Sequence, residues 1–184
     1  MNFVIFLLSY FVVITSLVGY GLVFQNFFNK RLNLEFEFSL LGSVLFWILL
    51  SLITHFFFNH GYIHNGIIIL IGLISFSVLS YKNNKFKKNY LKYLLLIFIL
   101  MIFGVLGAKT HDDFPYYHFP YTFYLTQENL IVGTGILNHG FRTPSSIFYL
   151  NSIFYLPLIK YYSFNFGAAI LFGISNLILI LKLK

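Results

Sequence analysis

Six long apolar runs, separated by short polar segments, dominate the chain. The first run has 22 residues, and as an α-helix it would be about 33 Å long, enough to cross a bilayer. We predict that each run is a membrane-spanning helix. The predicted spans are 3–24, 39–58, 66–80, 90–107, 147–159 and 164–181. Because the fifth is short and contains Asn151 and Pro157, we expect it to be tilted or only partly inserted.

The composition agrees with this pattern. Hydrophobic residues make up 59% of the chain and charged residues 9%, and the mean hydropathy is +0.82. A soluble domain has about 25% charged residues, so the surface of this fold is not suited to water. We therefore expect an all-α, polytopic transmembrane helix bundle of about six membrane segments. Residues 1–184 are interpreted as one domain, the N-terminal part of a longer protein, because the chain stops directly after an apolar run.

The distribution of charge predicts how the chain lies in the membrane. The formal net charge is +7, and most basic residues lie in short segments between the runs. Such charges hold loops in the cytoplasm, so they indicate orientation rather than nucleic-acid binding. Segments 25–38 and 81–89 are predicted to be cytoplasmic, with Lys160 at the inner end of the fifth span. The N-terminus and segment 109–146 are then outside, and the basic run 81–89 predicts contact with anionic membrane lipid.

Two groups of polar residues lie outside the long outer segment. Glu35 and Glu37 alternate with apolar residues in the first cytoplasmic connector, and we interpret them as solvated carboxylates of an interfacial segment. His55, His60 and His64 have spacings that suit a metal site. Because no carboxylate or cysteine is close to them in sequence, polar side chains in a tight turn are the favoured interpretation. The absence of cysteine from the whole chain also excludes disulfides and a cysteine nucleophile.

Segment 109–146 concentrates the functional groups of the chain. It contains three of the five acidic residues, three of the six histidines and one of the two arginines. Asp112 and Asp113 follow the fourth predicted span almost at once, where a carboxylate can meet a substrate whose lipid tail stays in the bilayer. Such a carboxylate could act as a base or hold a divalent metal ion against a diphosphate. The alternative is a carboxylate pair that only solvates the end of a helix.

Aromatic residues follow the two aspartates. The segment is interrupted by two prolines, Pro115 and Pro120. They predict a break and then a short interfacial helix within about 116–130. Tyr116 and Tyr117 either lie at the membrane interface or form the wall of a sugar or isoprenoid site. His118 is a candidate second base, metal ligand or phosphate partner, with a structural hydrogen bond as the alternative.

The end of the segment predicts an anion site. Arg142 is costly near a membrane unless it has a partner, and a phosphate would serve. Ser145 is expected to cap the next helix, whose N-terminus would add to such a site. His139 precedes the arginine by three residues and is a candidate supporting group. If the segment is a site, one of the two aspartates should lie close to His118, His139 or Arg142 around one cavity.

Two motifs carry a resemblance to a known group. The first, D-D-F-P-Y-Y-H, follows a predicted span, and the second, N-H-G-F-R-T-P-S-S, precedes the next. Together they resemble bacterial polytopic membrane proteins of, or near, the GT-C glycosyltransferase-like group. In that group an acidic residue in an outer loop serves in catalysis, and a polyprenyl-phosphate carrier donates the sugar. The resemblance implies that Asp113 and Asp112 are catalytic, on the outer face of a bacterial cytoplasmic membrane, and that His118, His139 and Arg142 support them.

Two other functions stay open. The chain could be a transporter or flippase component, although transporters usually carry ionisable residues within their spans and the predicted spans have almost none. It could also be a non-catalytic assembly subunit of cell-surface polysaccharide synthesis. The better-known GT-C enzymes place their acidic loop after the first span, whereas three further spans precede it here.

Overall fold

The computed structural model describes residues 2–32, 35–82, 88–107 and 112–183, and all regular structure in these ranges is helical. The α-helices are α1 Phe3–Leu32, α2 Phe36–Thr54, α3 Tyr62–Lys82, α4 Lys88–Gly107, α5 Phe119–Gln127, α6 Thr134–Leu137, α7 Ser146–Ile153 and α8 Phe166–Lys182. A π-helical turn, Phe114–His118, precedes α5, and two 3₁₀ turns are His139–Phe141 and Lys160–Ser163. The basic run predicted at 81–89 lies largely outside the described residues, as do Lys109 and His111.

Four helices are long and apolar enough to cross a membrane, and a fifth apolar helix, Leu91–Leu106, is shorter. The four are Phe3–Phe28, Phe36–Thr54, Tyr62–Tyr81 and Lys160–Lys182. The prediction of an all-α membrane protein is therefore confirmed. Helices are the natural result for such runs, because every backbone N–H and C=O must find its partner within the segment when water is absent.

Helix α1 packs against α2 and α3, and its first half also contacts α4 and α8. The hydroxyl of Tyr10 donates to the carbonyl oxygen of Phe98 in α4 at 3.2 Å. At Gly19, a Cβ atom would lie 1.9 Å from the carbonyl oxygen of Gly72, so only glycine allows α1 to approach α3 this closely. Several buried aromatic rings fill the space between the helices: Tyr10, Trp47, Phe98, Phe154 and Phe166.

The fifth predicted run forms only the short helix α7, which is not among the membrane-length helices, so a full crossing here is not confirmed. Helix α7 has eight residues, which makes it roughly 12 Å long against a hydrocarbon core of about 30 Å. Asn151 is one reason why the helix within the fifth predicted run is short. Its Oδ1 atom accepts a hydrogen bond from the backbone N–H of Gly167 at 3.0 Å, which ties α7 to the first turn of α8.

After α7 the chain turns back, so Lys160 stays at the end of the molecule where α5 lies. The ring of Phe164 is 5.9 Å from that of Phe119 in α5. The prediction that Lys160 marks the inner end of a crossing helix is wrong for this reason. From this point α8 runs to the opposite end of the bundle, where Lys182 forms an ion pair with Glu35.

The two glutamates of the first connector have different surroundings. Glu35 is exposed, and the hydrogen bond from Lys182 lowers the pKa of its carboxyl group. Glu37 lies in the first turn of α2, is 3% exposed, and has a buried Oε2 atom without a hydrogen-bond partner. The interpretation of both as solvated carboxylates is therefore wrong for Glu37, because the helix begins earlier than the apolar run suggested.

The outer segment is helical from Phe114 to Gln127, in keeping with the short helix predicted within about 116–130, but the predicted break at Pro120 is not present. The π-helical turn leads directly into α5. Because Pro120 has no N–H, the carbonyl oxygen of Tyr116 lacks its usual helical donor. The side-chain amide of Asn138 donates to that oxygen at 3.3 Å, so a later part of the segment compensates for the proline.

Candidate functional site

A cavity of about 690 Å³ opens between the outer segment and the adjacent ends of α4 and α8. The two helices supply apolar walls, which include Met101, Val105, Ala168, Ala169 and Phe172. The polar side chains that line the cavity are His118, Thr122, Ser145, Asn151 and Asn165. Two of the predicted site residues, His118 and Ser145, thus share one cavity. A largely apolar cavity with a few polar groups is typical of a ligand site.

The ring of His118 is positioned by packing on both sides. Phe148 of α7 lies against it with ring centroids 5.2 Å apart, and Tyr117 meets it edge-on at 4.4 Å. The backbone of His118 is fixed in the helix, where its carbonyl oxygen accepts a hydrogen bond from the Thr122 hydroxyl at 2.8 Å. The half-buried imidazole therefore has a defined place at the cavity wall, from which it can exchange a proton with a ligand or bond to it.

Ser145 caps α7, as predicted from its position in the sequence. Its Oγ atom accepts a hydrogen bond from the backbone N–H of Ile147 at 3.4 Å. The hydroxyl hydrogen is then available for a different acceptor, because a serine oxygen can accept and donate at once. The side-chain amides of Asn151 and Asn165 line the same cavity. Together these groups suit an oxygen-rich part of a ligand.

Asp113 lies just before the cavity, at the start of the π-helical turn. Its backbone oxygen accepts from the N–H groups of Tyr116 and Tyr117, both at 3.2 Å. Its carboxylate Oδ2 accepts a hydrogen bond from the Tyr117 hydroxyl at 3.3 Å. Desolvation, and after it the negative charge of Asp113, raise the pKa of Tyr117. The neighbouring Asp112 is exposed.

The second motif packs directly on the first. At Gly140, a Cβ atom would lie 2.4 Å from the Cβ atom of Tyr117, so only glycine fits at this contact. The oxygen of the Asn138 side chain accepts from the N–H of Gly140 at 2.9 Å, while its amide bonds to Tyr116. The two motifs predicted to form one site are thus neighbours in the fold, and both Tyr116 and Tyr117 contact the second motif.

Arg142 and His139 do not line the cavity. Arg142 is exposed, and its Nε atom donates to the carbonyl oxygen of Gly135 at 3.1 Å. No described hydrogen bond or ion pair links either aspartate to Arg142 or His139. The structure therefore places His118 and Ser145 on the cavity and Asp113 beside it. Arg142, His139 and the exposed Tyr116 lie farther out on the segment.

The three histidines near the α2–α3 link form a cluster in which His55 and His60 are buried and His64 is partly buried. The rings of His60 and His64 stack at 4.9 Å, and the ring of His55 lies 5.0 Å from that of His60. Nε2 of His60 donates to the carbonyl oxygen of Ser51 at 3.0 Å, and its Nδ1 atom lies 2.6 Å from the Ser152 hydroxyl. Burial lowers the pKa of His60 to about 3, so Nδ1 is unprotonated at neutral pH. The single hydroxyl hydrogen of Ser152 is shared between this Nδ1 atom and the carbonyl oxygen of Tyr149, which lies 2.8 Å away.

Asn65 completes this cluster. Its side-chain amide donates to three carbonyl oxygens, those of His60, Ser152 and Tyr155, at 2.7 to 3.0 Å. These contacts join α2, α3 and the chain at the end of α7. Nε2 of His55 donates to the carbonyl oxygen of Glu128 at 3.0 Å, which ties the end of α5 to the same cluster. The favoured role of these histidines is therefore to hold the segments together.

No set of three His, Asp or Glu side chains close enough to hold a metal ion occurs in the described part of the chain. The carboxylate of Asp113 accepts from Tyr117, and Asp112 is exposed. The described residues thus do not fit a divalent-metal site, and we derive no chemical step through one.

Sequence reasoning missed three polar residues of the cavity, Thr122, Asn151 and Asn165. Asn165 gave a usable signal, because it is a lone polar residue directly before an apolar helix. Thr122 gave none, since a threonine within a helix commonly bonds to its own backbone, as this one does. Asn151 was noticed only as an interruption of an apolar run.

Comparisons with family models, with curated proteins and with solved structures found no match. The cavity and the side chains around it are therefore what indicates a function for this chain.

Proposed function

We propose that this protein is a membrane-embedded, glycosyltransferase-like protein that takes a sugar from a polyprenyl-phosphate carrier on the outer face of the bacterial cytoplasmic membrane. One observation carries the proposal: the cavity has walls from two apolar helices on one side and from the outer segment on the other. A lipid-linked sugar has the same division, with an apolar tail and a polar head. The motif resemblance described above is the second support.

The walls suit the two parts of such a donor. Met101 and Val105 of α4 and Phe172 of α8 offer apolar surface to an isoprenoid chain that enters from the bilayer. Ser145 and His118 lie at the polar side, where hydroxyl and imidazole groups can donate to phosphate oxygens. Arg142 is not needed for this contact, because it does not line the cavity.

Asp113 is the proposed base, and Asp112 is the second candidate. An acceptor hydroxyl must lose a proton as its oxygen attacks the sugar, and a carboxylate beside the cavity can take that proton. Asp113 adjoins Phe114, which lines the cavity. The Tyr117 hydroxyl donates to Oδ2 of Asp113 and so orients this carboxylate.

The topology that fits this site has five crossings, by α1 to α4 and α8, with α7 as a short segment that enters from the outer side. The N-terminus and segment 109–146 are then outside. The pair between Glu35 and Lys182 supports this arrangement, because it places the end of α8 beside the connector predicted to be cytoplasmic. If α7 also crossed the membrane, the end of α8 with Lys182 would lie on the outer side, away from Glu35.

The test is transfer of sugar from a polyprenyl-phosphate donor by the full-length protein in vesicles. Asp113→Asn keeps the shape and a hydrogen-bond acceptor for Tyr117 but removes the base, so the rate should fall by about a hundredfold to ten-thousandfold. Asp112→Asn is the matched control and should lose much less. If the protein with both changes is stably expressed and transfers sugar at the parent rate, neither aspartate is the base. If the parent protein itself transfers no sugar in these vesicles, the enzyme proposal fails and an assembly role replaces it.

One observation favours a transporter or flippase component as a second candidate. Glu37 is buried in the first turn of a membrane-length helix, and its Oε2 atom has no hydrogen-bond partner. Ionisable groups at such positions commonly mark an ion or proton path. For this candidate, Glu37→Gln should abolish movement of a lipid-linked substrate across vesicles, whereas the glycosyltransferase proposal expects the transfer rate to be kept.

A further inference from the structure

The most exposed apolar side chains of the outer segment lie together in residues 130–137, which we call the apolar turn. The exposed fractions are 93% for Val132, 87% for Ile136 and 85% for Leu137. The thirteen residues between Glu128 and Arg142 include no Asp, Glu, Lys or Arg. Exposed apolar surface of this kind is unfavourable in water and commonly marks a contact with a membrane or a partner.

The apolar turn is built into the fold. The N–H of Leu130 donates to the carbonyl oxygen of His55 at 3.2 Å. The Tyr124 hydroxyl accepts from the N–H of Ile131 and donates to the carbonyl oxygen of Asn129, both at 3.0 Å. Gly133 has φ +91°, a left-handed conformation that reverses the chain and that glycine adopts without strain. These bonds fix the base of the turn while its tip projects from the molecule.

The position of residues 129–131 relative to the ends of the membrane-length helices indicates which surface the exposed side chains of the apolar turn contact. His55 directly follows α2, one of the four membrane-length helices, so its carbonyl oxygen lies at the level where a span ends. The next three residues, Phe56, Phe57 and Phe58, are all exposed at this level. Aromatic side chains at the end of a span are typical of the membrane interface. The apolar turn therefore starts at the membrane surface rather than far above it.

Arg142 places a positive charge beside the apolar turn, where lipid phosphates could pair with it. Its Nε atom donates to the carbonyl oxygen of Gly135 inside the turn, at 3.1 Å. The side chain is exposed, and no described carboxylate forms an ion pair with it. A guanidinium group beside exposed aliphatic side chains matches the boundary between lipid phosphates and acyl chains. A protein partner would be expected to meet a different pattern, with aromatic anchors at the centre of the patch.

We propose that the apolar turn inserts into the leaflet that borders the end of α2, with Val132, Ile136 and Leu137 among the upper acyl chains and Arg142 at the lipid phosphates. The occupant of this surface is thus the lipid bilayer. Such an anchor holds the outer segment at the membrane surface. It depends on no assumption about the reaction.

Because the chain has no cysteine, single-cysteine labelling gives a direct test. Val132→Cys and the matched exposed control Thr143→Cys each receive an environment-sensitive fluorophore, in the full-length protein in phosphatidylcholine vesicles with phosphatidylglycerol. Phospholipids with a quencher on the upper acyl chain should quench the probe at 132 severalfold more than the probe at 143. Iodide in the aqueous phase should quench them in the reverse order. Val132 is exposed, so its replacement leaves the fold intact.

Two outcomes overturn the proposal. If iodide quenches both probes equally, the turn projects into water. If the probe at 132 is protected from iodide and also from the lipid quencher, protein covers the turn. Disulfide formation between two copies of Val132→Cys in the vesicles would identify that protein as a second copy of this chain.

Discussion

His60 and His118 lie at the same end of the molecule, and their surroundings differ in almost every respect. Both ring nitrogens of His60 have hydrogen-bond partners, and the side chain is fully buried between α2, α3 and α7. The ring of His118 is half-buried and lines a cavity of about 690 Å³. His60 therefore has no room for a ligand, whereas the ring of His118 can contact one.

The difference follows from what each region must do for the fold. Around His60, several carbonyl oxygens are buried, and buried oxygens without donors are costly. The carbonyl oxygens of Ser51 and Ser152 each accept a backbone N–H, and His60 and Asn65 add a second donor to these oxygens. Asn65 also donates to the carbonyl oxygens of His60 and Tyr155. Around His118, the helices α4 and α8 leave a space that no side chain of the described residues fills. A closed polar cluster contributes stability, and an open cavity makes chemistry possible, so the same residue type serves two purposes.

The largest expected effect tests whether the His60 cluster is structural. Asn65→Leu removes one amide that serves three buried carbonyl oxygens. The carbonyl oxygen of Ser152 keeps the N–H of Tyr155 at 3.2 Å, whereas those of His60 and Tyr155 lose their donor. Each buried acceptor without a donor costs about 1–3 kcal/mol, so the protein should lose about 2 kcal/mol or more of stability. The thermal midpoint of the detergent-solubilised protein measures this loss.

Asn59→Leu is the control for that change. Asn59 is exposed, and its amide donates to one carbonyl oxygen, that of Gln127, at 2.9 Å. Its replacement should cost about 1 kcal/mol at most. If the two variants lose the same amount of stability, the His60 cluster contributes no more to folding than the exposed residues around it.

A second test uses pH. The pKa of His60 is near 3 in the folded chain and has its ordinary value of 6.5 when unfolded. Between these values the unfolded state binds more protons, so stability falls as the pH is lowered from 6.5 toward 3. One such group contributes about 1.4 kcal/mol per pH unit. His60→Gln should flatten the fall of the thermal midpoint in this range.

Ser152→Ala provides the matched control for the pH test. It removes the hydroxyl partner of Nδ1 but leaves the imidazole buried. The midpoint should drop at every pH while its dependence on pH is kept. A slope that vanishes in Ser152→Ala but persists in His60→Gln would show that a different group titrates.

Much of the fold could be predicted from the sequence, because it depends on local patterns. Helices α1 to α4 and α8 follow the apolar runs, and Ser145 caps α7 through a bond to a residue two positions away. Such features need only the residues beside them in the chain. The burial of Glu37 was not predicted, because α2 begins at Phe36, before the apolar run that marked it in the sequence. Glu37 thus lies in the first turn of the helix, where its side chain is buried.

The parts that could not be predicted depend on contacts between distant residues. The burial of His60 requires Ser152, which is 92 residues away, and no local pattern announces that pairing. The length of α7 likewise depends on Asn151 and the start of α8. Within the candidate site, the sequence indicated His118 and Ser145 by type alone. The cavity that unites them exists only because α4 and α8 leave a space.

The smallest expected effect concerns Lys160, where the chain passes from the closed cluster to the open cavity. Its φ is +47°, a left-handed conformation that costs a residue with a Cβ atom about 1–2 kcal/mol. The chain reverses direction at Lys160. Before this turn Ser152 contacts the His60 cluster, and after it Ala168 of α8 lines the cavity. Lys160→Gly should therefore raise stability by about 1 kcal/mol, less the entropy that glycine gains when unfolded. Lys160→Ala removes the charge but keeps the Cβ atom, and its thermal midpoint should not rise. If alanine raises the midpoint as much as glycine, loss of the lysine charge accounts for the gain. The two regions would then be joined without backbone strain.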